Sequence, residues 1–196
     1  MVMIAALFCV QSSFAQQWPD SKGRDFWFTF LPNFHNSEAS IGTDALLQKE
    51  HQLYIYIAAE RPTTGTITWT KGDGTTETLA FRIDNVKQLF STSVFYQDAE
   101  LRGVSDNGSG FDFFGSDNES VSPKSFHVVA NDDVTVYALN QAVTTSDAFL
   151  ILPTDAVAED YVVLSYTSDI RYSTVQQGAL DPNATPSQFA VVATAD

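Results

Sequence analysis

The side chains of this sequence that could do chemistry are few and scattered. In Asp106 to Asp117 (DNGSGFDFFGSD), Asp106, Asp112 and Asp117 fall at the first, seventh and twelfth places of a twelve-residue calcium loop. The third and fifth places hold Gly108 and Gly110, which have no side-chain oxygen, and the sixth holds Phe111 where the sharp turn needs glycine. The segment fails as that motif and reads as an acidic loop, a looser oxygen site being the alternative. The histidines are His35, His51 and His127, and none pair at metal-ligand spacing on one element. His127 sits between Phe126 and Val128 and reads as a core histidine with its hydrogen bonds satisfied, not as a ligand or base. Ser109 lies between two glycines but lacks the strand–elbow–helix frame of a hydrolase nucleophile. Asp132 and Asp133 are adjacent, and neighbours on a strand point to opposite faces, so they make a poor acid/base dyad. No glycine-rich phosphate loop is present. The expectation is a protein with no catalytic residues, no metal ligands and no cofactor. Binding residues are not identifiable at this level.

The elements that would position any site are strands. Asp25 to Leu31 (DFWFTFL) alternates, with Phe26, Phe28 and Phe30 on one face. Gln52 to Ala59 is a second strand. After Pro62 a third runs from Gly65 to Thr70 and returns as Glu77 to Ile83 around Lys71-Gly72-Asp73-Gly74, which has the glycines of a tight turn. Val94 to Tyr96 is a short strand. Ala39 to Leu53 is the best helical candidate. Gly103 to Lys124 is rich in Gly, Ser, Asp and Asn and reads as a long loop with a short strand at Phe111 to Phe114.

Phe126 to Ala130 and Val134 to Leu139 read as a hairpin turning at Asn131-Asp132, residues that accept turn dihedrals. Both faces of this hairpin are largely apolar, which calls for cover on both sides. Ser146 to Pro153 then reads as a buried strand stopped by proline, and Asp160 to Tyr166 as another strand. Ile55 to Ala58, His127 to Ala130 and Ala190 to Ala193 are similar short strands ending in alanine, an echo compatible with stacked antiparallel units. The three tryptophans, Trp18, Trp27 and Trp69, belong either to a β core or to a sugar- or protein-binding platform, the core being favoured. Asn107, Asn118 and Asn183 head glycosylation sequons, which matter only in a host that glycosylates asparagine.

Composition bounds the class. The 196 residues carry 24 Asp and Glu against 10 Lys and Arg, a net charge of −14, which repels nucleic-acid backbones and anionic lipid surfaces. Met1 to Val10 is an apolar run, followed by Ser13 and Ala15 at the positions signal peptidase prefers, so residues 1–15 read as a signal peptide cleaved before Gln16. The run is too short to span a bilayer. Cys9, the single cysteine, lies inside it, and Phe8 before it argues against lipid attachment. The mature chain then has no disulfide and relies on core packing.

Taken in order, GRDFWFTF (Gly23 to Phe30), LYIYIAAE (Leu53 to Glu60), FHVVANDDVTVYALN (Phe126 to Asn140), DAFLILPTD (Asp147 to Asp155), DYVVLSY (Asp160 to Tyr166) and QFAVVATAD (Gln188 to Asp196) resemble the IgGFc-binding protein N-terminal domain. The resemblance implies a secreted or surface protein of bacteria. It brings no catalytic residues and no mapped Fc contacts. Members of that family continue into a further strand, so residues 16–196 are expected to be a β domain incomplete at its C-terminus.

The expected fold is all-β, with antiparallel strands in a sandwich-like stack or part of a propeller-like ring. The expected function is a non-enzymatic secreted or cell-surface module that contacts a protein or glycan through its loops, Gly103 to Lys124 foremost. A structural spacer in a large adhesin or matrix protein is the alternative, and a secreted glycan-active enzyme the less favoured third. No nucleic acid and no membrane insertion after signal cleavage are expected.

Overall fold

The structure is a computed structural model that describes residues 20–32, 51–101, 121–142, 146–157, 160–164 and 188–194. It is all-β and antiparallel. Seven strands form one sheet: β1 (Gly23–Phe28), β2 (Gln52–Ala59), β3 (Thr63–Thr70), β4 (Thr76–Ile83), β5 (Leu89–Phe95), β6 (Phe126–Gln141) and β7 (Ser146–Ile151). A four-residue helix, α1 (Tyr96–Ala99), follows β5, and a short 3₁₀ turn (Thr154–Ala156) follows β7.

The organising element is β6. Its sixteen residues form one continuous strand, where the sequence reading expected a hairpin turning at Asn131-Asp132. The inner face runs through Phe126, Val128, Ala130, Val134, Val136 and Ala138 without a change of parity. The turn-forming residues instead mark a place where both neighbouring ladders break. On one edge β3 pairs with the first half of β6 (Gly65 opposite Ala130) and β2 with the second half (Ala59 opposite Val134). On the other edge the register to β1 jumps from Asp25 opposite Val129 to Gly23 opposite Val134. Backbone groups that lose ladder partners need others, and short polar side chains supply them. The Asp132 amide donates to Thr63 Oγ1 at 3.1 Å and the Asp133 amide to Asp132 Oδ1 at 2.9 Å, while a side-chain bond from Asn131 Nδ2 to Thr64 Oγ1 at 2.7 Å ties the break to β3. Arg24 clamps the bulge from outside through Asp133 (2.9 Å) and Asp132 (3.2 Å).

The sheet curls about this point. Phe28 pairs opposite Phe126 and Phe149 opposite Ala138, twelve residues apart on β6. At ~3.3 Å per residue a straight strand would separate them by about 40 Å. Their ring centroids are 6.5 Å apart. The two halves of β6 therefore bring β1 over β7, and the core fills the space between. Phe28 stacks on Phe126 (5.0 Å), and Phe30 meets Phe126 (5.3 Å) and Phe149 (5.6 Å) edge-on. Phe26, Phe30, Ile55, Ile57, Ile67, Phe126, Val128 and Val136 are fully buried, each stabilising by about 1.5–3 kcal/mol.

The β3–β4 turn falls where the glycines put it. Gly74 has φ of +83°, and Asp73 accepts from the Thr75 amide (2.8 Å) and hydroxyl (2.6 Å). Other expectations are revised. Val94 to Tyr96 is the end of the longer β5, whose final residue is Phe95. Of Ala39 to Leu53, the described end belongs to β2, and residues 39–50 lie outside the described residues. No described residue covers the outer face of β6: Val129 and Tyr137 are exposed. β7 is an exposed strand, with only Ile151 buried, because it pairs with β6 alone among the described residues. Asp160–Leu164 and Ala190–Ala193 are exposed and form no strand, except that Val192 is half-buried. The remaining two members of the alanine echo, in β2 and β6, lie side by side in one sheet and not in successive units.

Candidate functional site

The curl leaves a seam where the end of β1 approaches the start of β7. A cleft of about 900 Å³ opens there. Trp27, Phe28 and Leu31 form one wall and Phe149 the other. Two segments outside the sheet, Asp160–Leu164 and Gln188–Thr194, complete it with Tyr161, Val163, Phe189 and Val191. Their apolar side chains face solvent to an unusual degree: Tyr161 is 67% exposed, Val162 88% and Leu164 90%. Exposed apolar side chains gathered around one concavity are a mark of an interaction surface.

Asn140 forms part of the floor and leads into a buried polar cluster behind it. Asn140 Nδ2 donates to Glu100 Oε1 at 2.7 Å and to the Leu31 carbonyl at 3.0 Å, and its Oδ1 accepts from His51 Nε2 at 2.9 Å. His51 Nε2 also lies 3.7 Å from Glu100 Oε1, and its ring stacks on Tyr96 at 3.8 Å. Lys124 Nζ donates to the Gln97 and Glu100 carbonyls, at 3.2 and 3.1 Å. Four stretches distant in sequence meet here: the end of β1, the start of β2, the exit of α1 and the end of β6. His51, Glu100 and Asn140 are buried, so they fasten the seam rather than meet a substrate. Sequence reasoning missed this cluster. One signal was available: Asn140 continues the inward series Val134, Val136, Ala138, and an amide at a core position needs partners.

On the outer face His127 Nε2 lies 2.9 Å from Asp25 Oδ2, and the imidazole stacks on Trp27 at 3.9 Å. His127 is thus satisfied but is not a core residue, since odd-numbered positions in this part of β6 face outward. The Thr154 hydroxyl donates to the other Asp25 oxygen and to the Asp25 carbonyl. Hydroxyl, carboxylate and imidazole match a catalytic triad in type but not in order. Both His127 and Thr154 bond Asp25, whereas a nucleophile must bond the imidazole. Burial pushes the Asp25 carboxyl up, but the Thr154 and His127 hydrogen bonds and the His127 charge bring it below the ordinary aspartate value.

That shift sets a pH dependence. A carboxyl lowered in the folded state contributes stability that is complete above its unfolded value of 3.8 and lost as pH falls through the lower folded one. Asp25 is 45% exposed, so solvent screening holds the effect to about 1 kcal/mol or less. Thermal melts of Asp25→Asn should lie a few degrees below the native protein at neutral pH. The gap should close once the solution is acidified well below 3.8. A gap that persists at the acid end would show that the carboxylate charge is not the source.

The other described candidates do not converge on the cleft. Asp132 and Asp133 hold the β6 bulge. Trp69 is half-buried and packs against the core beside Phe126, at 6.3 Å. Of the two described tryptophans, Trp27 lines the cleft. Of Gly103 to Lys124, only Val121 to Lys124 are described; Asp106, Ser109, Asp112, Asp117 and the short strand expected at Phe111 to Phe114 lie outside the described residues, as do Cys9, Trp18, His35 and the three sequons. Among the described residues no group of three His, Cys, Asp or Glu side chains could hold a metal ion, and no helix is long and apolar enough to cross a membrane.

No family model matches the chain, and no curated protein is similar to it in sequence. Among solved structures it is similar to the crystal structure of Thermotoga maritima 1070, at 12% identity over 66% of this chain and 92% of that one. The TM-score is 0.31, a likeness too distant to inform fold or function.

Proposed function

We propose that this chain is an exported, non-enzymatic binding module of a secreted or cell-surface protein, of the IgGFc-binding N-terminal kind, that contacts a protein or glycan ligand. The observation that supports it best is the seam cleft: a wide, aromatic-lined concavity with apolar side chains held in solvent. Large concavities lined by apolar and aromatic groups with a few polar ones are the usual form of a ligand site. The polar side chains nearest the cleft are engaged in fastening the sheet, which fits recognition better than turnover. The apolar leader over residues 1–15 supports export, and the net charge of −14 argues against nucleic acid and anionic membranes as partners.

The test is a glycan array and a panel of extracellular proteins probed with residues 16–196, each hit repeated with Trp27→Ala and Tyr161→Ala. The expected result is a ligand whose affinity falls at least about tenfold in both variants, the loss of ~1.4 kcal/mol that one aromatic contact supplies. A ligand that binds both variants as well as the native chain places recognition elsewhere, with Gly103 to Lys124 the next segment to delete. Absence of any ligand favours the spacer reading.

A further inference from the structure

We infer that the seam cleft receives an extended strand of another polypeptide, apolar in its centre and basic at its ends, which adds to the open edge of β7. The inference rests on the reading of the cleft as a binding site and names its ligand class.

Two independent features lead to it. The first is the edge. Among the described residues β7 pairs with β6 alone, so its outer side offers a row of backbone N–H and C=O groups beside the cleft. An exposed edge of this kind is a template for strand addition, in which main-chain bonds give affinity and alternate side chains enter pockets. Phe149 stands at that edge, and Tyr161, Val163, Phe189 and Val191 supply the apolar wall for every second residue of an incoming strand. Glycan recognition asks for a dense set of polar partners, and this lining is predominantly apolar.

The second feature is charge. Asp147, Asp155 and Asp160 are exposed around the β7 edge and its exit. Among the described residues, no Lys or Arg lines the cleft. Such a rim favours cationic ends on the ligand and accelerates their capture. It also disfavours a second copy of this chain, which would bring the same acidic strip and a net charge of −14.

The probe is a fluorescent synthetic peptide of alternating valine and threonine between paired lysines, titrated into residues 16–196 by anisotropy. Two control peptides replace the lysines with glutamates or N-methylate every second amide. The expected result is saturable binding that weakens at least about tenfold with glutamate ends, weakens with added salt, and disappears on N-methylation, which removes the donors needed for edge pairing. Asp147→Lys lies on the surface and should fold normally while weakening the lysine peptide. Equal binding of lysine and glutamate peptides overturns the charge assignment, and undiminished binding of the N-methylated peptide overturns strand addition. Dimerisation of the chain alone, measured by light scattering, would show the edge taken by a second copy and overturn the inference as well. A glycan ligand lost with Trp27→Ala, with no peptide bound, overturns this inference and leaves the broader binding reading standing.

Discussion

Asn140→Leu should cost about 3–5 kcal/mol of stability, the sum for a few buried polar groups each left short of a bond at ~1–3 kcal/mol. The leucine is close in size, so packing changes little. What changes is that Asn140 is the common partner of His51, Glu100 and the Leu31 carbonyl. Removing it leaves two buried titratable groups and a carbonyl short of a bond, each with its own desolvation penalty. For a domain of this size the melting temperature should fall by roughly 10 °C. Asn140→Asp should be as damaging at neutral pH, because a carboxylate cannot donate to Glu100 or to the Leu31 carbonyl and would itself be buried. Urea unfolding of the two variants checks both statements. A loss under about 1 kcal/mol in both would mean that the cluster is incidental to the seam and that the curl rests on the phenylalanines alone.

Gly65→Val should abolish folding, and Gly65→Ala should cost about 3 kcal/mol or more, at the upper end of overpacking effects. The reason is steric and not conformational. A Cβ at Gly65 would lie 2.2 Å from the Val129 carbonyl and 2.5 Å from two Phe81 ring carbons. β3 is paired to β4 on one side and β6 on the other, so its backbone cannot retreat. Phe81→Leu added to Gly65→Ala should recover only part of the loss, since the carbonyl stays in place. Gly74→Ala is the contrast. Nothing lies within 4 Å of a Cβ there, and only the left-handed φ opposes it, at about 1–2 kcal/mol. Should Gly65→Ala melt no lower than Gly74→Ala, the close approach of β3 to β6 is wrong.

Local pattern determined the strands of the sheet and which side of each faces inward, but it also read strands at Asp160 to Tyr166 and Ala190 to Ala193 where the described residues form none. β2 has the boundaries its alternation predicts, Gln52 to Ala59, and the turn after β3 sits on its glycines. Phe26, Phe28 and Phe30 all enter the core, as spacing by two requires. These features depend on neighbours in the chain, and period-two alternation encodes them directly.

Tertiary structure decided the rest. Asn131, Asp132 and Asp133 carry the same side chains whether they close a hairpin or bridge a break in two ladders. What chose between those outcomes was the arrival of β1, β2 and β3 on β6 with mismatched registers. The histidines were placed for a similar reason: His51 is enclosed because Tyr96, Glu100 and Asn140 fold over it, while His127, read as a core residue, stays on the face that nothing described covers. The cleft exists because β6 bends and lays β1 over β7, a contact between residues more than a hundred positions apart. Alternation is a property of neighbouring residues. A seam between distant edges depends on how far the whole sheet curls, and no short window of sequence records that.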